Sequence, residues 1–317
     1  MIQTDCVVIG CGLAGAATAF QLGRRGMRDV IILEQEATEG YHSSGRNAAM
    51  VRQVVRDPAV AELAREGARF LEAAREEWGR PDLFERRGSL LLAGERLHGQ
   101  LLEDAGRARR AGLEVETWTR EKAIGRVDAL RGGKFRTAIY TASDGSVDVH
   151  ALLQGYLRGA RASGARMFRS RRVHEIVVDA SRRIRGIKAG DLEISTPRVV
   201  NAAGAWASEV AALARAAPIR LQPYRRHLVH TGPEPRAARD WPFVWDLEGE
   251  VYFRPESGGL LVCPCDHTPA EAGDAQAEPE ILEVLAEKLP RVFPALGELR
   301  VARDWAGHRT FATDERF

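Results

Sequence analysis

Residues 5–34 read DCVVIGCGLAGAATAFQLGRRGMRDVIILE. Two continuously apolar runs, VVIG and VIIL, flank Gly10-x-Gly12-x-x-Gly15 and a small-residue helical stretch. A strand that is apolar throughout is buried on both faces, which implies a parallel sheet, and parallel strands need a crossover helix. Gly10 permits the tight turn, Gly12 lets a pyrophosphate approach the backbone, and Gly15 lets helix and strand pack closely. The backbone of Gly10, Gly12, Leu13, Ala14 and Gly15 is therefore a candidate pyrophosphate cradle, because free N–H groups and the helix dipole favour negative charge there. Glu34 follows Gly15 by 19 positions and closes the second strand. Its carboxylate suits ribose hydroxyls and would repel a 2′-phosphate, which argues against NADP. Glu34 and Gln35 are the candidate ribose contacts. The motif does not separate FAD from NAD.

The bulk numbers exclude several classes. The chain has 317 residues, 44% hydrophobic and 28% charged. That is room for two domains of roughly 150 residues each. Net charge is +2, so the whole chain does not advertise nucleic acid as a partner. The dense arginines from Arg161 to Arg185 read as a solvated face, since a nucleic-acid patch wants interleaved aromatics. No apolar run approaches the ~18 residues of a membrane span. The start carries Asp5 and no basic segment, so export is not expected. The four cysteines, Cys6, Cys11, Cys263 and Cys265, form no Cys-x-x-Cys pair, so no metal site is expected. GLLVCPCD reads as a strand with both thiols on one face. A reducing cytoplasm fits these cysteines.

Residues 36–53 read EATEGYHSSGRNAAMVRQ. Its hydroxyls and backbone N–H groups suit phosphate and flavin oxygens, and Arg46 suits phosphate charge. Here the chain resembles the FAD-dependent amino-acid oxidase and dehydrogenase family, whose members include D-amino-acid, glycine and sarcosine oxidases and D-arginine dehydrogenase. The resemblance rests on the glycine motif and the loop Ser43, Ser44, Gly45, Arg46, Asn47, Ala48. It also rests on the segment RVVNAAGAW, with Ala203, Gly204 and Trp206, and on the strand RVHEIVV, with Val173. It implies FAD as cofactor, the loop running past the pyrophosphate to the flavin ring, and the backbone of Val173 at the adenine. The implied fold is α/β (α+β overall): a Rossmann-like FAD-binding domain with an inserted strand-rich substrate domain. The expected nucleotide part covers 1–80, about 140–215 and 300–317, and the substrate part about 81–139 and 216–299.

An amino-acid substrate needs an Arg for its carboxylate, because a buried carboxylate without a partner is costly. Arg309 in DWAGHRTF resembles the family's carboxylate-binding arginine. Tyr252 in EVYFR and Arg226 in LQPYRR resemble its companions. The resemblance implies hydride transfer from the nitrogen-bearing carbon to flavin N5, then hydrolysis of the imine, with no strong protein base. His42, His227 and His308 accordingly read as structural histidines. Met50 and the run Arg86-Arg87-Gly88-Ser89 depart from the pattern for cationic substrates, so a less charged substrate is expected. A 2-hydroxy acid or glycerol-phosphate oxidoreductase is the alternative, and a non-catalytic FAD-binding subunit the third. An electron acceptor or partner subunit is a further expected partner. The chain stops at Phe317, before the family's flavin-covering segment, so weak FAD binding by this chain alone is expected.

Asp57-Pro58 signals a helix start, Asp148 suits the cap of a helix at His150–Ser163, and a further helix is expected at about Glu95–Ala111. Strands are expected at Gly88–Ala93, Pro223–Thr231, Val244–Asp246, Glu250–Arg254 and Gly259–Cys263, and helix at Ile281–Leu289.

Overall fold

The computed structural model describes residues 1–314. Strand β1 (Cys6–Ile9), helix α1 (Leu13–Arg24) and strand β2 (Val30–Leu33) form the opening unit. The sheet order is Arg166–Phe168, β2, β1, Val199–Asn201, all parallel. Alternation along each strand sends side chains to opposite faces. Cys6, Val8, Val30 and Ile32 pack on α1 and on helix Val149–Ala162, through Leu153 and Leu157. Val7, Ile9, Ile31 and Leu33 pack on a second sheet through Val173, Ile176, Ile187 and Ile194. That sheet runs Ile2–Gln3, Leu192–Ser195, Ile184–Ala189, Val173–Val178. Burial on both faces is why these strands carry no polar alternation.

Backbone proximity explains two of the motif glycines. Gly10 has φ +100°, and a Cβ there would stand 2.3 Å from the Ala202 carbonyl oxygen. At Gly15 a Cβ would stand 1.9 Å from the Gly10 carbonyl oxygen.

The large sheet has nine strands. Four adjacent strands matter most: β3 (Leu221–His230), β4 (Phe243–Asp246), β5 (Val251–Glu256) and β6 (Gly259–Cys263). Their order is β3, β6, β5, β4, followed by Ser89–Ala93. Strand β7 (Arg303–Ala312) pairs antiparallel with β3 along its whole length. The sequence reading grouped 300–317 with the nucleotide part. The structure instead joins 303–312 to the substrate sheet, because its backbone is consumed by β3, and 315–317 lie outside the described residues. One face of this sheet, with Val229, Val244, Phe253 and Val262, packs under helix Glu280–Val292. The other face looks toward the loop after β2.

The capping signals act as read. Asp57 accepts from Ala59 N and Val60 N to start helix Pro58–Glu77, and Asp148 accepts from Ala151 N. The helix expected from Glu95 begins only at His98, because Glu248, distant in sequence, takes the Arg96 and Leu97 N–H groups.

Buried Asp144 ties the segment after the flavin loop to the large sheet. It accepts from Gln53 N (3.1 Å), Gln53 Nε2 (3.0 Å) and Ser89 Oγ (2.6 Å). Burial outweighs these bonds and raises its pKa from 3.8 to about 6. A raised carboxyl contributes stability that is complete below pH 3.8 and is lost as pH rises through about 6. The difference corresponds to at most about 3 kcal/mol. Asp144→Asn should therefore flatten the pH dependence of unfolding across this window and gain relative to the parent above it, as read by denaturant titration.

Candidate active site

A cleft of about 630 Å³ opens at the carboxyl ends of β1 and β2. This is where open parallel sheets hold ligands. Its wall includes Gly10, Gly12, Leu13, Ala14, Glu34, Gln35, Ser43, Ser44, Val173, Ala203, Gly204 and Trp206, twelve of the sequence candidates. Gly15 is buried packing beneath it. The Glu34 carboxylate is positioned by Cys11 N (2.8 Å) and Glu36 N (2.9 Å), one bond on each oxygen. Each oxygen keeps a lone pair for a ribose hydroxyl. Tyr41, His174 and Val210 also line the cleft and carry no local motif.

The loop after β2 connects this cleft to the substrate sheet. Ser44 Oγ accepts from Leu13 N at 2.9 Å, and a Cβ at Gly12 would meet that oxygen at 2.9 Å. Ser43 Oγ donates to the His308 carbonyl at 2.9 Å. Asn47 Nδ2 donates to the Ser43 and Ser44 carbonyls, and its Oδ1 accepts from Ala49 N. Arg254 Nε donates to the Ala48 carbonyl at 2.7 Å. Asn47 and Ala48 thus shape the loop rather than line the cleft. Arg46 also lies off the cleft wall. Its guanidinium pairs with Asp274 at 2.6 Å and donates to the Ala275 carbonyl. This tertiary ion pair is one that no local pattern announces. At Gly307 a Cβ would stand 2.7 Å from the Arg46 carbonyl oxygen, so the loop lies directly on β7.

Under this loop, pairing gathers the substrate candidates. Arg226 lies opposite Gly307, and Arg309 opposite Tyr224, so Arg226 and Arg309 are diagonal neighbours on one sheet face. Tyr252 lies opposite Cys263 on one side and Trp245 on the other. Tyr252, Cys263, Cys265 and Leu228 form one buried cluster with Ala48, and Met50, Trp245 and Trp305 pack on it. The sheet therefore brings all three sequence candidates, Arg226, Tyr252 and Arg309, to one place.

The electrostatics there are strongly perturbed. Burial, then the nearby Cys263, pushes the Tyr252 phenol well above its usual value. Burial also works against a Cys263 thiolate, but the hydrogen bond with Cys265 and the Arg226 charge bring Cys263 below the usual thiol range. Strand β6 ends at Cys263, and Cys265 follows with φ +53°, donating its N–H to Cys263 Sγ at 3.3 Å. The chain turns between the two thiols, where the sequence reading had a continuous strand. Arg309 is lowered by burial and then by Arg226. Arg226 Nε is buried with no hydrogen-bond partner among the described residues.

The His42 and His227 side chains have acidic partners. His227 binds Asp266 through Nδ1 (2.8 Å) and accepts from Glu278 N (3.0 Å), and His42 binds Glu36 (2.9 Å). His308 is lowered by burial, then by His42. Most of the Arg161–Arg185 cluster is paired at the surface, as in Arg166–Asp29 and Arg185–Asp179. Sequence reading missed Arg52, whose guanidinium lies 4.4 Å from the Trp245 ring centroid. The signal was its place two residues beyond Met50 on an extended segment. Among the described residues no helix is long and apolar enough to cross a membrane, and no group of three metal-ligating side chains forms.

Known proteins share this architecture. Mitochondrial dimethylglycine dehydrogenase of Mus musculus is 27% identical over 275 residues, 83% of this chain and 30% of that protein. Human mitochondrial sarcosine dehydrogenase is 28% identical over 301 residues, 90% of this chain and 30% of that protein. The chain thus spans about 30% of the length of these curated relatives. The crystal structure of L-proline dehydrogenase from P. horikoshii superposes with a TM-score of 0.89 at 24% identity, covering 99% of this chain and 83% of that one.

FAD fits the residues present. Gly12 leaves the helix start open where a Cβ would crowd it, Glu34 offers ribose acceptors, and the cleft leads along Ser43 and Ser44 to the substrate face. The family model described as FAD dependent oxidoreductase (DAO) matches residues 5–317, and the chain belongs to that FAD-dependent family.

Proposed function

We propose that the protein oxidises the C–N bond of an amino acid or secondary amine to an imine, which water then hydrolyses. The convergence of Arg226, Arg309 and Tyr252 beside the end of the cofactor cleft carries this reading. FAD, when bound, supplies the two-electron acceptor. The chain supplies binding, orientation and exclusion of water. Gly10, Gly12, Leu13, Ala14 and Ser44 would hold the pyrophosphate, Glu34 and Gln35 the ribose, and Val173 the adenine. The paired guanidinium forks of Arg226 and Arg309 hold a carboxylate, and the Tyr252 hydroxyl, kept protonated, donates to the same group. This fixes the nitrogen-bearing carbon against the loop at Ala48. In this reading the amine binds neutral, so that hydride removal needs no strong protein base.

The curated relatives act, by name, on dimethylglycine and sarcosine, both carboxylates with nitrogen on the adjacent carbon. Four free, buried cysteines suit a reducing compartment such as the cytoplasm. The test is anaerobic: the visible spectrum of the FAD-loaded protein before and after adding amino acids and N-methyl amino acids. Flavin bands should bleach. Bleaching by 2-hydroxy acids alone would overturn the amine reading, and no bleaching by any of them would favour a non-catalytic flavoprotein.

A further inference from the structure

The side chains of Arg52 and Arg226 make no hydrogen bond or ion pair among the described residues; Arg226 Nε is buried without a partner, and Arg52 lies over the Trp245 ring beside the buried cluster under the loop. The acids nearest to them are already engaged. Asp144 serves Gln53 and Ser89, and Asp104 serves Gln100 and Arg107. Asp266, the carboxylate acting on Arg226, is taken by His227 N and Nδ1. Burial lowers Arg52 to about 10, with Asp144 working against that and the Arg309 charge adding to it. Arg52 and Arg309 therefore act on each other through space.

Their positions differ along the sheet. Arg226 and Arg309 stand on β3 and β7. Arg52 lies over Trp245 on β4, and the Trp245 ring is 4.9 Å from Tyr252 on β5. Strands β3 and β4 are separated by two others, a span of roughly 14 Å at the backbone. Long side chains reaching inward narrow that span. Guanidinium groups therefore stand at two places along the sheet, Arg226 with Arg309 and Arg52 over Trp245, with Tyr252 on a strand between them. Arg226 Nε is buried without a hydrogen-bond partner, and the half-buried Arg52 guanidinium has the Trp245 ring but no carboxylate, so an anion is favoured at each place.

We propose that Arg52 is a specificity-determining residue and that the substrate is an amine carrying two carboxylates, one held by Arg226 and Arg309 and the other by Arg52. The assignment rests on the amine reading above and names the substrate class for the same chamber. An amino acid with an acidic side chain, or an amino acid bearing an N-carboxyalkyl group, has this form. Met50 beside Arg52 then covers the methylene chain between the two acids.

The test uses the FAD-loaded protein in two arms. In the first, flavin reduction is followed with matched pairs: glutamate against 2-aminobutyrate, in both enantiomers, and N-carboxymethylglycine against N-methylglycine. The kcat/KM ratio should favour at least one dicarboxylate by about 10- to 100-fold, the usual worth of a charged hydrogen-bonded pair. That ratio should collapse in Arg52→Met and partly recover in Arg52→Lys. Monocarboxylates that react as well as their partners, or a ratio indifferent to Arg52, would overturn the proposal. In the second arm, succinate and glutarate are compared with acetate and butyrate by perturbation of the flavin spectrum, with no turnover needed. Arg52-dependent binding of diacids without oxidation of any amine would sustain the two-anion chamber and reject the amine chemistry. Equal binding of mono- and diacids would reject the chamber itself.

Discussion

Replacing Arg309 by Met is expected to lower kcat/KM for the oxidised amino acid by about 10³-fold, because removing one partner of a buried ion pair costs roughly 2–5 kcal/mol. Most of the loss should appear as a higher KM, since the carboxylate is held equally before and during reaction. Arg309→Lys should recover only part of it, because an ammonium cannot present the planar fork. The fold gives a means of separating binding from folding. Arg309 shares its face with Arg226, while Ala306 on the opposite face of β7 is in the core. A variant at 309 should therefore keep the thermal midpoint and the FAD content of the parent. Stopped-flow flavin reduction over a range of substrate concentrations reads both parameters. Unchanged kcat/KM in Arg309→Met would remove the arginine from the site and with it the carboxylate-fork account.

The second large effect is expected at Gly15. Its Cβ would stand 1.9 Å from the Gly10 carbonyl oxygen and 3.3 Å from Val8 Cγ1, so Gly15→Ala must push α1 off β1. Overpacking of this kind costs about 1–3 kcal/mol or more. The same displacement moves Gly12, Leu13 and Ala14 on the cleft wall, so FAD should be lost together with stability. Gly67→Ala is the control. Gly67 lies inside helix Pro58–Glu77 with open space around its Cβ position, and alanine there should stabilise by up to about 1 kcal/mol. Thermal unfolding with the flavin-to-protein absorbance ratio measures both. Full FAD retention in Gly15→Ala would mean that α1 can shift without disturbing the cofactor cleft.

The opening unit was legible because every signal in it is local. The apolar runs state burial on both faces, the glycines state close approach, and Glu34 ends the strand at a defined distance from them. The helix starts at Asp57 and Asp148 were legible for the same reason, since a cap is a contact between near neighbours. The Arg46–Asp274 ion pair was not legible, because the two residues lie more than two hundred positions apart. Ser43 and Ser44 line the cleft, and their hydroxyls bind the His308 carbonyl and Leu13 N, bonds set by how the loop lies on β7.

By itself the sequence determined a dinucleotide-binding βαβ unit and the family to which it belongs, because spacing within about thirty residues constrains the backbone directly. It also supplied Arg226, Tyr252 and Arg309 as separate candidates. Only the tertiary structure decided that they meet. Their convergence depends on the register of β3 with β7 and of β5 with β6 and β4, which sets the face each side chain takes. The same register puts Trp245 beside Tyr252 and leaves Arg52 over it, two residues beyond a loop that the sequence had marked only for the flavin. Register is a property of paired strands distant in the chain, so no single stretch of residues could have announced that chamber.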